Sequence, residues 1–76
     1  MHAIEFTVDE TQVTTTDKTL TADAILALAG IDPATHYLVE LRGKQQISYE
    51  GNGDESIKVH PNQEFLSVRV GPAPLS

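Results

Sequence analysis

Cysteine is absent from this chain of 76 residues, which excludes both a disulfide framework and a thiolate zinc site. A domain this short buries only roughly 60% of the surface its unfolded chain exposes. Without a covalent or metal staple it must fold on packing alone, and 39% apolar residues is a sufficient share for that. Basic residues are also scarce. Eleven acidic residues against five basic ones give a net charge of −6, the reverse of what counterion release at a nucleic acid requires. The five cations Lys18, Arg42, Lys44, Lys58 and Arg69 are scattered along the sequence, and the acidic balance disfavours anionic membrane surfaces. No apolar run reaches the length of a membrane span. Met1-His2-Ala3-Ile4-Glu5 lacks the basic start and apolar stretch of a secretory signal. A soluble cytoplasmic domain is expected.

What is present reads as short strands around one helix. Ile4, Phe6 and Val8 alternate with Glu5 and Thr7, the period of a strand with one wet face. Asp9-Glu10 supplies a turn without the Asn-Gly or Asp-Gly of a tight two-residue loop, and the β-branched run from Gln12 to Thr16 returns as a more exposed strand. Thr21 is placed to cap a helix over residues 22–29, with Asp23 complementing its positive end. Ile25, Leu28 and Ala29 form its apolar stripe, and Leu20 is positioned to staple back onto Ile25. Gly30 suits a left-handed C-terminal residue, and Pro33 prevents continuation.

Residues 37–42 predict a third strand, with Tyr37, Val39 and Leu41 turned to the core and Glu40, Arg42 and Leu38 on the wetter face. A short strand from Gln46 to Tyr49, a flexible turn over 51–54 and a second turn at His60-Pro61-Asn62-Gln63 follow. Phe65 to Val70 is the last strand. Residues 72–76, with Pro72 and Pro74, are expected to be an extended tail. The fold class is α+β: a mixed sheet of four to five strands on one α-helix, filling residues 1–71 as one domain.

This order and length resemble ubiquitin and its β-grasp relatives. Tyr37-Leu38-Val39-Glu40-Leu41-Arg42-Gly43-Lys44 is similar to ubiquitin's third strand and the Gly-Lys turn behind it, and Phe65 to Gly71 to its final strand. The Thr-capped helix ending in Ala29-Gly30, the loop with Asp32-Pro33 and the strand opening Tyr37-Leu38 are similar to the bacterial multiubiquitin family. The likeness spans residues 4–71, with a single copy of the domain. Members of that family are encoded beside relatives of ubiquitin-activating and ubiquitin-conjugating enzymes and a peptidase. The resemblance therefore implies a protein modifier with those partners, no catalytic role of its own and no cofactor.

Two departures from ubiquitin set the site residues. A conjugated modifier ends in glycine, whereas here Gly71 is followed by Pro72 and four further residues. Either a dedicated peptidase cleaves the Gly71–Pro72 bond and frees Gly71 for conjugation, or attachment does not run through glycine. Without a terminal glycine pair, a sulfur carrier is disfavoured; an unconjugated interaction domain is the alternative. On the recognition face, ubiquitin's outward apolar positions align with Glu40 and Arg69, which are expected to form a cross-strand ion pair, with Leu38 beside them. Receptors of ubiquitin's patch are then expected to bind poorly. Lys44 is the first candidate acceptor lysine.

The remaining chemistry is sparse. His2, His36 and His60 are far apart and none has a second histidine at helical spacing, so no metal motif forms. Asp9-Glu10 and Asp54-Glu55 are solvated turn acids lacking the asymmetric environments of an acid–base pair. Gly51-Asn52-Gly53 leads into Asp54-Glu55, which would repel a phosphate, and no serine has a histidine at a hydrolase spacing.

Overall fold

The computed structural model describes residues 2–70. Strands β1 (Ile4–Val8), β2 (Thr11–Thr15) and β3 (Thr19–Thr21) precede helix α1 (Ala22–Leu28). Strands β4 (His36–Arg42), β5 (Gln45–Ser48), β6 (Ser56–Lys58) and β7 (Glu64–Arg69) follow. Five strands form a mixed sheet in the order β2-β1-β7-β4-β5, parallel only between β1 and β7. The helix lies on one face of it, giving the two-layer α+β arrangement of a ubiquitin-like β-grasp. A second ribbon pairs β3 with β6, with Leu20 opposite Ile57. These two three-residue strands are too short to carry a readable alternation in the sequence.

Capping fixes both helix ends. The Thr21 hydroxyl accepts from Ala24 N at 3.1 Å. At the other end Gly30, with φ +78°, donates to Ala27 O at 3.0 Å while Ile31 N donates to Leu26 O at 2.9 Å, the bond pair of a Schellman motif. The buried stripe is Ala22, Ile25 and Leu26 with Ala29 beside them. Leu28, expected in that stripe, is 49% exposed instead, because at ~100° per residue it lies roughly 110° around the helix from the middle of the Ala22, Ile25, Leu26 and Ala29 face. The turn over 51–54 is tied to the helix rather than loose: Asp23 N donates to Gly53 O and Ala22 N to Glu55 O.

The β1–β2 connection is tighter than its sequence suggested. Val8 pairs with Thr11, leaving two turn residues, and both Asp9 (φ +53°) and Glu10 (φ +69°) are left-handed without being glycine. Asp9 earns its place through β7. Its backbone N–H donates to Phe65 O at 2.9 Å, and its carboxylate accepts from Ser67 N at 2.9 Å and from the Ser67 hydroxyl. The side chain thereby extends the β1–β7 ladder one step beyond the end of β1. Glu10 has no such compensation. Glu10→Gly should stabilise the domain by about 0.5–1 kcal/mol, whereas Asp9→Gly should destabilise it; urea midpoints of the two variants test the contrast.

The core joins Phe6 and Val8 of β1, Val13 of β2, Ile25 and Leu26 of α1, Leu38 of β4, Ile57 and Val59, and Phe65 of β7. Phe6 and Phe65 meet edge to face, ring centroids 5.6 Å apart at 78°. The alternation expected for β4 is present but its faces are exchanged. Leu38 is fully buried beneath the helix, and Glu40, on the same side, is only 3% exposed. Tyr37, Val39 and Leu41 are on the outer face. Both alternating sets of β4 contain apolar residues, so the period alone did not select the inner one. Leu38 and Phe65 under the helix make the choice.

Candidate functional site

Two adjacent central strands, β4 and β7, carry the features that define the site. Their antiparallel register sets Val39 opposite Leu66, Tyr37 opposite Val68 and Leu41 opposite Glu64. Opposed residues share a face, so Tyr37, Val39, Leu41, Leu66 and Val68 form an apolar strip on the side of the sheet away from the helix. Val39 is largely covered by its neighbours, Tyr37, Leu41 and Leu66 are partly exposed, and Val68 is 37% exposed. Beyond Leu41 the strip runs into a shallow concavity of about 320 Å³ bordered by Thr7, Glu10 and Glu64. The strip is thus apolar in its middle and acidic at one end.

Glu40 and Leu38 are not part of an exposed recognition face, contrary to the sequence expectation: both are buried on the helix side. The expected Glu40–Arg69 pair does not exist either, since Glu40 is opposite Phe65 and Arg69 is opposite His36. Arg69 is exposed on its own. Lys44 is exposed in the β4–β5 turn behind Gly43 (φ +59°), past the end of β4 and not on the strand pair that carries the strip. Gly71 and Pro72 lie outside the described residues. The fold therefore does not unite the candidates of the sequence reading into one surface, and the five strip residues were missed. A signal for them was available: Phe65 is the largest residue of β7, and assigning it to the core turns Leu66 and Val68 outward.

Glu40 has a structural role instead. Its carboxylate accepts from Gln63 Nε2 at 3.1 Å and from the Arg42 guanidinium at 3.4 Å, and Gln63 Nε2 also reaches Lys58 O at 3.2 Å. Gln63 Oε1 in turn accepts from His60 N at 2.7 Å. One amide side chain closes the turn at residues 60–63 and ties it to the sheet through a buried carboxylate. Arg42 is largely exposed, so its ion pair with Glu40 contributes little beyond orientation.

Tyr49 stands beside this carboxylate. Burial first, then the charge of Glu40 and a smaller effect of Glu55, raise its phenol above the usual 10.0, with Arg42 opposing. The folded state disfavours the tyrosinate. That stability is intact below the unfolded pKa near 10 and is lost as pH rises through the higher folded value. Tyr49→Phe should therefore flatten the alkaline limb of the stability profile above about pH 10, and urea midpoints measured from neutral pH into that range check it.

Among the described residues no group of three histidine, cysteine, aspartate or glutamate side chains could hold a metal ion. Nor is any of their helices long and apolar enough to cross a membrane. The geometry is that of a small rigid domain with an apolar strip on its open sheet face. The family model for multiubiquitin matches residues 4–69, from the first residue of β1 to the last of β7.

The chain belongs to the multiubiquitin family.

No curated protein and no solved structure matches it. The match takes in every strand and the helix, so the strip, the Glu40–Gln63 link and Lys44 all lie within this multiubiquitin domain. Gly71 and Pro72 fall after its end.

Proposed function

We propose that this multiubiquitin-family domain is a ubiquitin-like protein modifier, recognised by partner proteins through the outer face of β4 and β7 and attached through Gly71. The observation carrying the reading is the apolar strip Tyr37–Val39–Leu41–Leu66–Val68 on the two central strands, on the side of the sheet away from the helix. An open sheet face of this kind offers a rigid surface that needs no rearrangement to be bound. β7 pairs with β1 at Glu64 and Phe65 and with β4 as far as Arg69, so in the sequence Gly71 follows an anchored strand after one intervening residue. The partners are activating-enzyme-like and conjugating-enzyme-like proteins and a processing peptidase acting at Gly71–Pro72.

Intact mass of the full chain, incubated with those three proteins and ATP, tests attachment. The expected result is loss of residues 72–76 and an adduct on a target lysine, abolished by Gly71→Ala with the melting temperature moved by less than about 2 °C. Conjugation that survives Gly71→Ala removes that residue from the mechanism. An unchanged mass with no adduct overturns the modifier reading. It would favour the second reading, an unconjugated interaction domain, which the same strip supports because it requires no chemistry at the C-terminal side.

A further inference from the structure

Cations scattered in the sequence are partly gathered by the fold. The β3–β6 ribbon pairs Thr19 with Lys58, and Val59 N donates to Lys18 O at 2.9 Å, so the two lysines stand on adjoining backbones. Together with His60 they border an open groove of about 490 Å³, whose remaining lining is Thr19, Val59 and the partly exposed Ile4. No acidic residue lines it. Of the acids adjacent to it in sequence, Glu5 borders a separate concavity with Gln12, Asn62 and Glu64. The ion pair Arg42–Glu40 is the one found among the described residues, so neither lysine has an internal carboxylate partner there. In a chain of net charge −6, two of five cations share a groove without acids.

The backbone that presents the groove is held in place. Gln63, anchored on Glu40, accepts from His60 N and donates to Lys58 O. Val59 is buried, which fixes the residue between Lys58 and His60 against the core.

We infer that this groove docks an acidic segment of a partner protein, one carrying an aliphatic side chain between aspartates or glutamates. The aliphatic group matches Ile4, the partly exposed apolar residue of the groove, and the flanking carboxylates match Lys18 and Lys58. Two lysines in an otherwise acidic protein are too few to hold a nucleic acid strand. A bare anion would leave the apolar part of the groove unused. The site is on different strands from the outer face of β4 and β7 and does not depend on attachment through Gly71.

The test is an amide-resolved NMR titration of the full chain with the acetylated, amidated peptide Asp-Glu-Ile-Val-Asp-Glu, beside its neutral analogue Asn-Gln-Ile-Val-Asn-Gln. Saturable shifts centred on Lys18, Thr19, Lys58, Val59 and His60 are expected. The affinity should weaken about tenfold in the double variant Lys18→Gln/Lys58→Gln. It should also weaken several-fold when salt rises from about 50 to 500 mM. The variant's spectrum away from the groove should remain that of the native domain. Any of four results overturns the proposal: no shift up to about 5 mM peptide, equal binding of the neutral analogue, shifts centred on Val39 and Leu66, or unchanged affinity in the lysine variant. Displacement of the peptide by equimolar inorganic phosphate would also overturn it, since the groove would then be reading charge alone.

Discussion

Leu38→Ala is expected to destabilise the domain by about 3 kcal/mol, a large part of the 5–10 kcal/mol typical of a small domain. Leu38 has no exposed surface and sits among Ile25, Leu26 and Phe65 in the core, so removing its isobutyl group leaves a cavity under the helix. A short helix held chiefly by burial has few means of collapsing into that space without losing its register on the sheet. The melting temperature should fall by more than about 10 °C. Val68→Ala, one strand over and on the opposite face, should cost less than about 1 kcal/mol because Val68 is already partly in water. Urea unfolding of the pair measures which face of β4 and β7 is the core. Equal losses in the two variants would contradict the register described above.

Glu40→Ala should cost about 2 kcal/mol, and the loss is one of hydrogen bonding more than of volume. The variant leaves Gln63 Nε2 with Lys58 O as its remaining acceptor and removes the side-chain tie to β4, while Asn62 N to Glu5 O and Thr7 N to Gln63 O still hold the turn to β1. Glu40→Gln keeps an acceptor oxygen at the same place and should recover most of the stability. Hydrogen exchange at His60 supplies a local reading, because its N–H is bonded to the Gln63 side chain. Faster exchange there in Glu40→Ala, with native rates in Glu40→Gln, is the expected pattern. If both variants match the native protein, the carboxylate is not what anchors the turn. An exposed recognition residue would behave in the opposite way, with stability untouched and partner binding lost.

Arg69 and Lys44, exposed as the sequence suggested, belong to neither of these groups, and their replacement by alanine should leave stability within about 0.5 kcal/mol. The contrast between Glu40 and Arg69 shows how one misassigned face propagates. Both were aligned to the outward positions of a familiar recognition patch, and both are on the helix side of the sheet. Side-chain direction repeats every two residues, so a single wrong choice of face reverses every residue of a strand. β4 reads Tyr-Leu-Val-Glu-Leu, with bulky apolar groups in both sets, and a lone glutamate in one of them looks like a solvent marker. It is instead a buried carboxylate satisfied by Gln63, a residue 23 positions away that nothing in the local sequence connects to it.

Local chemistry was legible from the chain itself. Thr21 and Gly30 set the helix ends because capping bonds and left-handed backbone are decided within a few residues. The alternation of β1, β4 and β7, the turn at Pro61-Asn62 and the multiubiquitin likeness are of the same kind, and the α+β class follows from their order. Three features were decided only by tertiary structure. These are the face of the central strands that meets the helix, the tight left-handed Asp9-Glu10 turn held by Ser67, and the placement of Lys18 and Lys58 on one groove beside the β3–β6 ribbon. Each depends on partners 40 or more residues apart or on a choice between two nearly equivalent apolar faces. Such choices are settled by the total burial of the assembled core, a quantity that no single segment of the chain contains.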